Sequence, residues 1–459
     1  MTSMSATITS EQNTENKKTI ISTTNHHNIH QSFYRIIIIL ALFTILGAPL
    51  FLIPRHNTIF YQEYWFENII ITLYLILIST ADLLLNCYVY LKERSLASWK
   101  LFLYLWSWTS SCFTVVYLLC YSIWVLYLGK NHPMPFIGLC YLPSWIALLC
   151  GIWFIFPENL LSNEDFRKKL KTYVVFSMWW FFMDIQKDIL TIIFENLSVY
   201  IEWIFGFVVL SIREMNKKVL TSFVQKMSGD NDEEGKVLLG MHISCHYAFF
   251  IAVTLSGSHI STIICMMLID FSIHLKMTFD LINLQRKTFI VEIAIENQVN
   301  SQKSMLLRLA IVELCEGAIP LAYAIAFSMM YYGPNLSLLG RPIEESAVAK
   351  DVMKIYGLML SMFLIDLFSA VLNAYLLHRF GQTNITKEFC RILVKYWYFL
   401  LMGLIVNVLL FMTLNDVNWA MDWSFNFVWM TNEGRNMLIK NSRTLSKIER
   451  TKLLSNFSL

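Results

Sequence analysis

Long blocks of apolar residues, separated by short polar connections, run through most of the chain. They are too long and too evenly apolar to be half-buried faces of soluble helices or strands. Eleven such blocks predict membrane-spanning helices: Ile36 to Ile53, Ile69 to Leu91, Leu101 to Leu128, Phe136 to Phe156, Tyr173 to Phe194, Tyr200 to Ile212, Val237 to Leu255, Ile260 to Leu284, Leu309 to Tyr331, Val352 to Leu377 and Ile392 to Leu414. A helix of about 20 residues covers the ~30 Å hydrocarbon layer. The sixth block is short and reaches that length only if Leu197 to Val199 join it. A β-barrel would show short alternating segments instead of such runs. The expected fold is therefore all-α, a polytopic transmembrane helix bundle of about eleven spans, within a range of ten to twelve.

Composition agrees with this pattern. Hydrophobic residues make up 56% of the 459 and charged residues 15%, with a mean hydropathy of +0.51. A soluble domain carries about 25% charged residues. The net charge of +3 implies no nucleic-acid partner; the partners expected are the lipid bilayer and a small solute or ion. Nine cysteines without a CxxC pair point to small buried hydrophobes, not to a disulfide framework or structural zinc.

Three regions follow. Residues 1–34 are polar and read as a disordered cytosolic segment, residues 35–414 form the transmembrane domain, and residues 415–459 make an interfacial segment and a basic tail. The first apolar block begins too far from the start for a cleavable signal and is expected to stay as an anchor. No extramembrane domain is expected, the longest connections lying around Asn216 to Glu234, Arg286 to Arg308 and Gly333 to Lys350.

Charge orients the spans. Alternate connections hold twenty-three Lys and Arg residues and the intervening ones six, which places the amino terminus in the cytosol. Sequons at Asn196 and Asn335 fall on the outer side as glycosylation candidates, whereas Asn384 falls inside. The span lengths suit the plasma membrane and endomembranes alike.

Candidate chemistry is concentrated where polar side chains interrupt the apolar blocks. The seventh and eighth blocks are joined by the tight turn Ser256-Gly257-Ser258-His259 and so predict an antiparallel hairpin. His246 and Asp270 lie about twelve residues from that turn and His242 and His274 about sixteen, a depth of roughly 17 to 24 Å at 1.5 Å per residue. His242 with His246, and Asp270 with His274, each share a helix face through their i, i+4 spacing. Such groups coordinate transition metals, relay protons, or bond to neighbouring carbonyls and hydroxyls. No metal and no cofactor is assigned on this pattern alone.

In the ninth span Glu313 and Glu316 lie one turn apart, followed by Pro320, which frees a backbone carbonyl one turn earlier. Paired carboxylates suit ion coupling, although Glu313 could instead reach water or pair with Arg308. Asp82 and Asn86 in the second span, with Asp366 and Asn373 in the tenth, extend a secondary polar path. Asp184, Gln186, Lys187 and Asp188 cluster in the fifth span as an ion pair or a helix end.

There is no GxGxxG, P-loop, HExxH or GxSxG, so catalytic residues are not expected and an enzyme is disfavoured. The leading expectation is a transporter or channel moving a proton, cation or small solute. A membrane receptor or signalling protein is the alternative, and an intramembrane acyltransferase a further one.

Overall fold

The computed structural model describes residues 31–48, 65–91, 99–128, 141–156, 158–195, 197, 201–228, 232–257, 260–290, 295–332, 345–381 and 384–410. Residues 1–30 of the segment 1–34 expected to be disordered, the carboxyl-terminal tail and the sequons at Asn196 and Asn335 lie outside them. The described residues are all-helical. In chain order the helices are α1 (Gln31–Ala48), α2 (Trp65–Leu91), α3 (Trp99–Leu128), α4 (Tyr141–Ile155), α5 (Glu158–Leu161), α6 (Glu164–Glu195), α7 (Glu202–Ser228), α8 (Glu233–Gly257), α9 (Ile260–Ile290), α10 (Ile295–Tyr332), α11 (Glu345–Gly381) and α12 (Ile385–Leu404). A π-helical turn, Ile405–Leu410, follows α12.

Six of these, α1, α3, α9, α10, α11 and α12, are long and apolar enough to cross a membrane. Shorter apolar stretches occupy Ile76–Leu91 and Trp145–Phe154. The remaining expected spans are helical too, on α6, α7 and α8, but carry more charge.

α10 is the centre of the bundle. It packs against α8, α9, α11 and α12, while α6 pairs with α7 and α3 with α4. On α8 every residue from Met241 to Phe250 is buried, so that stretch is walled off by protein on all sides. The outer helices are the reverse. Leu360, Leu364, Leu367, Phe368, Val371 and Tyr375 form an exposed stripe along α11. Exposing such a side chain to water costs about 1.5–3 kcal/mol relative to burying it. A lipid surrounding removes that penalty, which is why so apolar an outer wall fits a membrane protein.

Local signals explain the helix starts. Asn163 accepts from the backbone N–H of Asp165 at 2.9 Å and Glu164 and Asp165 stand in the first turn of α6, where acidic groups suit the positive end of the helix dipole. Asn384 caps α12 by accepting from Lys387 N at 3.1 Å. Within α12, Tyr396 leaves helical geometry at φ −125°, ψ 21° and kinks the helix.

Several connections expected as loops are helix. α7 runs on unbroken to Ser228, so Asn216 lies in a helix and is fully buried. α9 reaches Ile290 and α10 begins at Ile295, which leaves little of the connection expected from Arg286 to Arg308. The apolar stretch alone marks where a helix meets lipid, and helices continue past it while their inner face is still covered. The hairpin is also corrected in one respect. Among the described residues α8 and α9 do not pack side by side, because α10 lies against both.

Candidate functional site

Two polar stripes set by helical spacing, on α9 and α11, and an arginine from α7 converge on α10. α9 contributes Asp270, His274 and Thr278 at intervals of four. α11 contributes Asp366, Ser369 and Asn373, again one turn apart. α7 contributes Arg213 and α10 itself contributes Glu313 and Glu316. Only such periodicity places polar groups together while each helix keeps its apolar face outward.

Glu313 is the best-held member. Its Oε1 accepts from Asn373 Nδ2 at 2.5 Å and from Ser369 Oγ at 3.1 Å, and lies 3.1 Å from His274 Nδ1. Thr278 donates to Asn373 Oδ1 at 2.9 Å and so fixes which way that amide points. Thr278 and Asn373 are fully buried, and Glu313 is only 4% exposed. Glu313 therefore does not face water, and Arg308 does not pair with it; Arg308 donates instead to Glu214 at 2.7 Å.

Glu316 sits between the side chains of Arg213 and His274. Arg213 Nη1 donates to its Oε1 at 3.3 Å, and His274 Nε2 stands 2.8 Å from its Oε2. The same Arg213 nitrogen is 3.8 Å from Asp270 Oδ1. Despite the short distance, His274 Nε2 and Glu316 Oε2 lack hydrogen-bond alignment. Both, together with Asp270 Oδ1 and Glu313 Oε2, are buried atoms with no hydrogen-bond partner among the described residues. Native interiors keep such atoms rare, because each forfeits its solvation. Pro320 adds to this, since it has no N–H for the carbonyl of Glu316 one turn back.

Beside these atoms is a cavity of about 30 Å³, lined by Asp270, His274, Asp366 and Ser369 with Met266 and Met362 among its apolar walls. That is room for a water or a small ion.

The other expected residues lie elsewhere. His242 Nε2 is 3.6 Å from Asp82 Oδ1, and Asn86 donates to Asp82 Oδ2 at 3.0 Å. His246 Nδ1 lies 3.2 Å from Asn407 Oδ1, whose own amide donates to Gly403 O at 2.8 Å. The ring of Trp180 lies against both histidines, at 5.9 Å and 6.2 Å between centroids. So the structure joins Asp270, His274, Glu313, Glu316, Asp366 and Asn373, and holds Asp82, Asn86, His242 and His246 in a second polar region on α2, α8 and the π-helical turn. In the fifth-span cluster, Gln186 accepts from Asn216 at 2.7 Å. The side chains of Asp184, Lys187 and Asp188 lie outside the described ones.

Arg213, Thr278, Ser369 and Asn407 are members that sequence reasoning did not single out. For Arg213 a signal existed. Phe205, Val209, Arg213, Asn216, Leu220, Val224 and Met227 recur at intervals of four and three, and all are buried. A helical stripe that continues through an arginine and an asparagine marks core positions. Compared with known protein families, with curated proteins and with solved structures, the chain matches none.

Proposed function

We propose that this chain is a membrane transporter or channel in which the cluster between α7, α9, α10 and α11 holds a cation or proton in passage. The observation that carries the reading is an imbalance of charge in an enclosed place. Asp270, Glu313, Glu316 and Asp366 supply four potential negative charges, while Arg213 and a protonated His274 supply two positive ones, a difference of two. Uncompensated charge is costly in a low-dielectric interior, so the cluster favours gaining positive charge from outside. The adjoining cavity gives such a charge a place, and the six apolar helices give the setting in which its movement matters. A purely structural polar core would join its members by hydrogen bonds, whereas here four buried atoms make none, two of them facing each other only as an ion pair at 2.8 Å.

The test is ion flux in proteoliposomes containing the purified chain. Wild type is expected to support movement of protons or metal cations, and Glu316→Gln and His274→Ala to lower it at least about tenfold while the protein still elutes as a folded species. Equal flux in both folded variants, or no flux in wild type, rejects the reading.

A further inference from the structure

The geometry points to a binding site for a divalent first-row transition-metal ion, with His274 Nε2, Glu316 Oε2 and one oxygen of Asp270 as its protein ligands. This names the cation class for the proposed transport site and rests on that reading only for its purpose, not for its chemistry. Asp270, His274 and Glu316 each offer one ligand atom, and these atoms lie within 4.8 Å of one another. The 2.8 Å between His274 Nε2 and Glu316 Oε2 is close to the ~3 Å edge that two bonds of about 2.1 Å make at a right angle.

The second ring nitrogen of His274 supplies an independent argument. Metal-bound histidines donate their other N–H to a carboxylate or carbonyl, which fixes the tautomer and aims the free nitrogen at the metal. Here Nδ1 hydrogen-bonds with Ser369 Oγ at 3.4 Å and lies 3.1 Å from Glu313 Oε1, and Glu313 is in turn fixed by Ser369 and Asn373. That leaves Nε2, on a ring only 2% exposed, facing the Glu316 carboxylate with no aligned hydrogen bond. A nitrogen lone pair and a carboxylate oxygen at that distance repel each other unless a positive charge joins them, either a proton on Nε2 or a metal ion that displaces it. A metal ion in that place also has a ligand atom of Asp270 within reach.

Charge favours a multivalent ion. With His274 neutral as a ligand, Asp270, Glu313, Glu316 and the Asp366 of the cavity wall give four negative charges against the one positive charge of Arg213. A divalent ion offsets more of that excess than a monovalent one. Arg213 holds Glu316 through Oε1 and leaves Oε2 free, so it braces the site without occupying the metal position. Beyond the inner shell, Glu214 and Arg308 neutralise each other at 2.7 Å, Lys217 acts on Glu316 from the α7 side, and Asp366 stands on the cavity wall where an arriving ion meets it. One imidazole with two carboxylates suits manganese, iron, cobalt or zinc. Magnesium and calcium prefer all-oxygen sites, and copper(I) prefers sulfur.

The experiment is Mn²⁺ titration of the full-length chain in detergent, followed by electron paramagnetic resonance. One bound Mn²⁺ per chain is expected, with an electron-spin-echo modulation from imidazole nitrogen, and Mg²⁺ at equal concentration should not displace it. Glu316→Gln is expected to raise the Kd at least about a hundredfold. Glu313→Gln, which only supports His274, should raise it about 10–100-fold, as for other outer-shell partners. Absence of Mn²⁺ binding in wild type, or a bound ion without nitrogen modulation, overturns the site even if no variant folds. Proton flux without metal binding would sink the metal site and leave the transport reading standing. Metal binding without flux of any ion would do the opposite.

Discussion

Arg213 on α7 and Glu316 on α10, 103 residues apart in the chain, meet at 3.3 Å inside the bundle, and each side chain is less than a tenth exposed. A buried ion pair of this kind contributes little when intact, because desolvation offsets the attraction. It is costly to break, because one charge is then left alone. Arg213→Met is therefore expected to destabilise the chain by about 3–5 kcal/mol. The double variant Arg213→Met with Glu316→Gln should lose markedly less than the two single costs added. Unfolding in sodium dodecyl sulfate, run as a double-mutant cycle, measures the coupling. Simple additivity would show that the two side chains do not act as a pair.

Asn373 decides whether Glu313 is satisfied. It donates to Glu313 Oε1 and is itself fixed by Thr278. Asn373→Leu removes the donor and leaves the buried carboxylate short of a partner, at a cost of about 1–3 kcal/mol. Asn373→Asp should be worse, because it sets a second acid where the amide now stands. The order of melting temperatures in detergent, wild type above Asn373→Leu above Asn373→Asp, checks this. Equal melting of the two variants would mean that the charge at Glu313 is not felt there.

The all-helical fold was legible because lipid-scale apolar runs are unmistakable in sequence, and each of the six helices long and apolar enough to cross a membrane overlaps an expected span. The shared face of Asp270 and His274 was legible from i, i+4 spacing, and both reach one cluster. Which partner they would meet was not legible. The short turn after residue 255 suggested the neighbouring arm, yet connection length constrains only the ends of two helices, and α10 takes the place beside both. An arginine normally ends an apolar run, so pattern alone places Arg213 in a connection. Its burial follows from the stripe of Phe205, Val209, Asn216 and Leu220 on either side, a pattern visible only if polar residues are allowed to occupy core positions.

Close packing of α8 on α10 depends on a missing side chain. A Cβ at Gly240 would lie 3.2 Å from Ile311 Cδ1 and 3.3 Å from its Cγ2. Gly240→Val is thus expected to overpack the contact and cost about 1–3 kcal/mol. At Gly357, on the exposed side of α11, a Cβ meets nothing within 4 Å. Gly357→Ala should be neutral or stabilising, by up to about 1 kcal/mol, through higher helix propensity. Melting temperatures that move alike in the two variants would refute the packing argument for α8 and α10.

At the start of α8, Glu233 gathers the basic groups of two other helices. Arg391 donates to it, Tyr396 Oη donates at 2.9 Å, and Lys303 Nζ lies 3.4 Å away. Partial burial alone would raise the Glu233 carboxyl; the hydrogen bonds from Arg391 and Tyr396 and the charge of Arg391 outweigh it and hold the group down at about 2. The folded state thus binds the proton less readily than the unfolded chain, where the ordinary value is 4.5. Stability from this group is fully present above that value and is lost as pH falls towards 2. The stability gap between wild type and Glu233→Gln should therefore be widest near neutral pH and close on acidification. Thermal unfolding of both chains across that range measures it. A gap that stays constant, or widens in acid, would show that Glu233 does not anchor α8 to α10 and α12 through its charge.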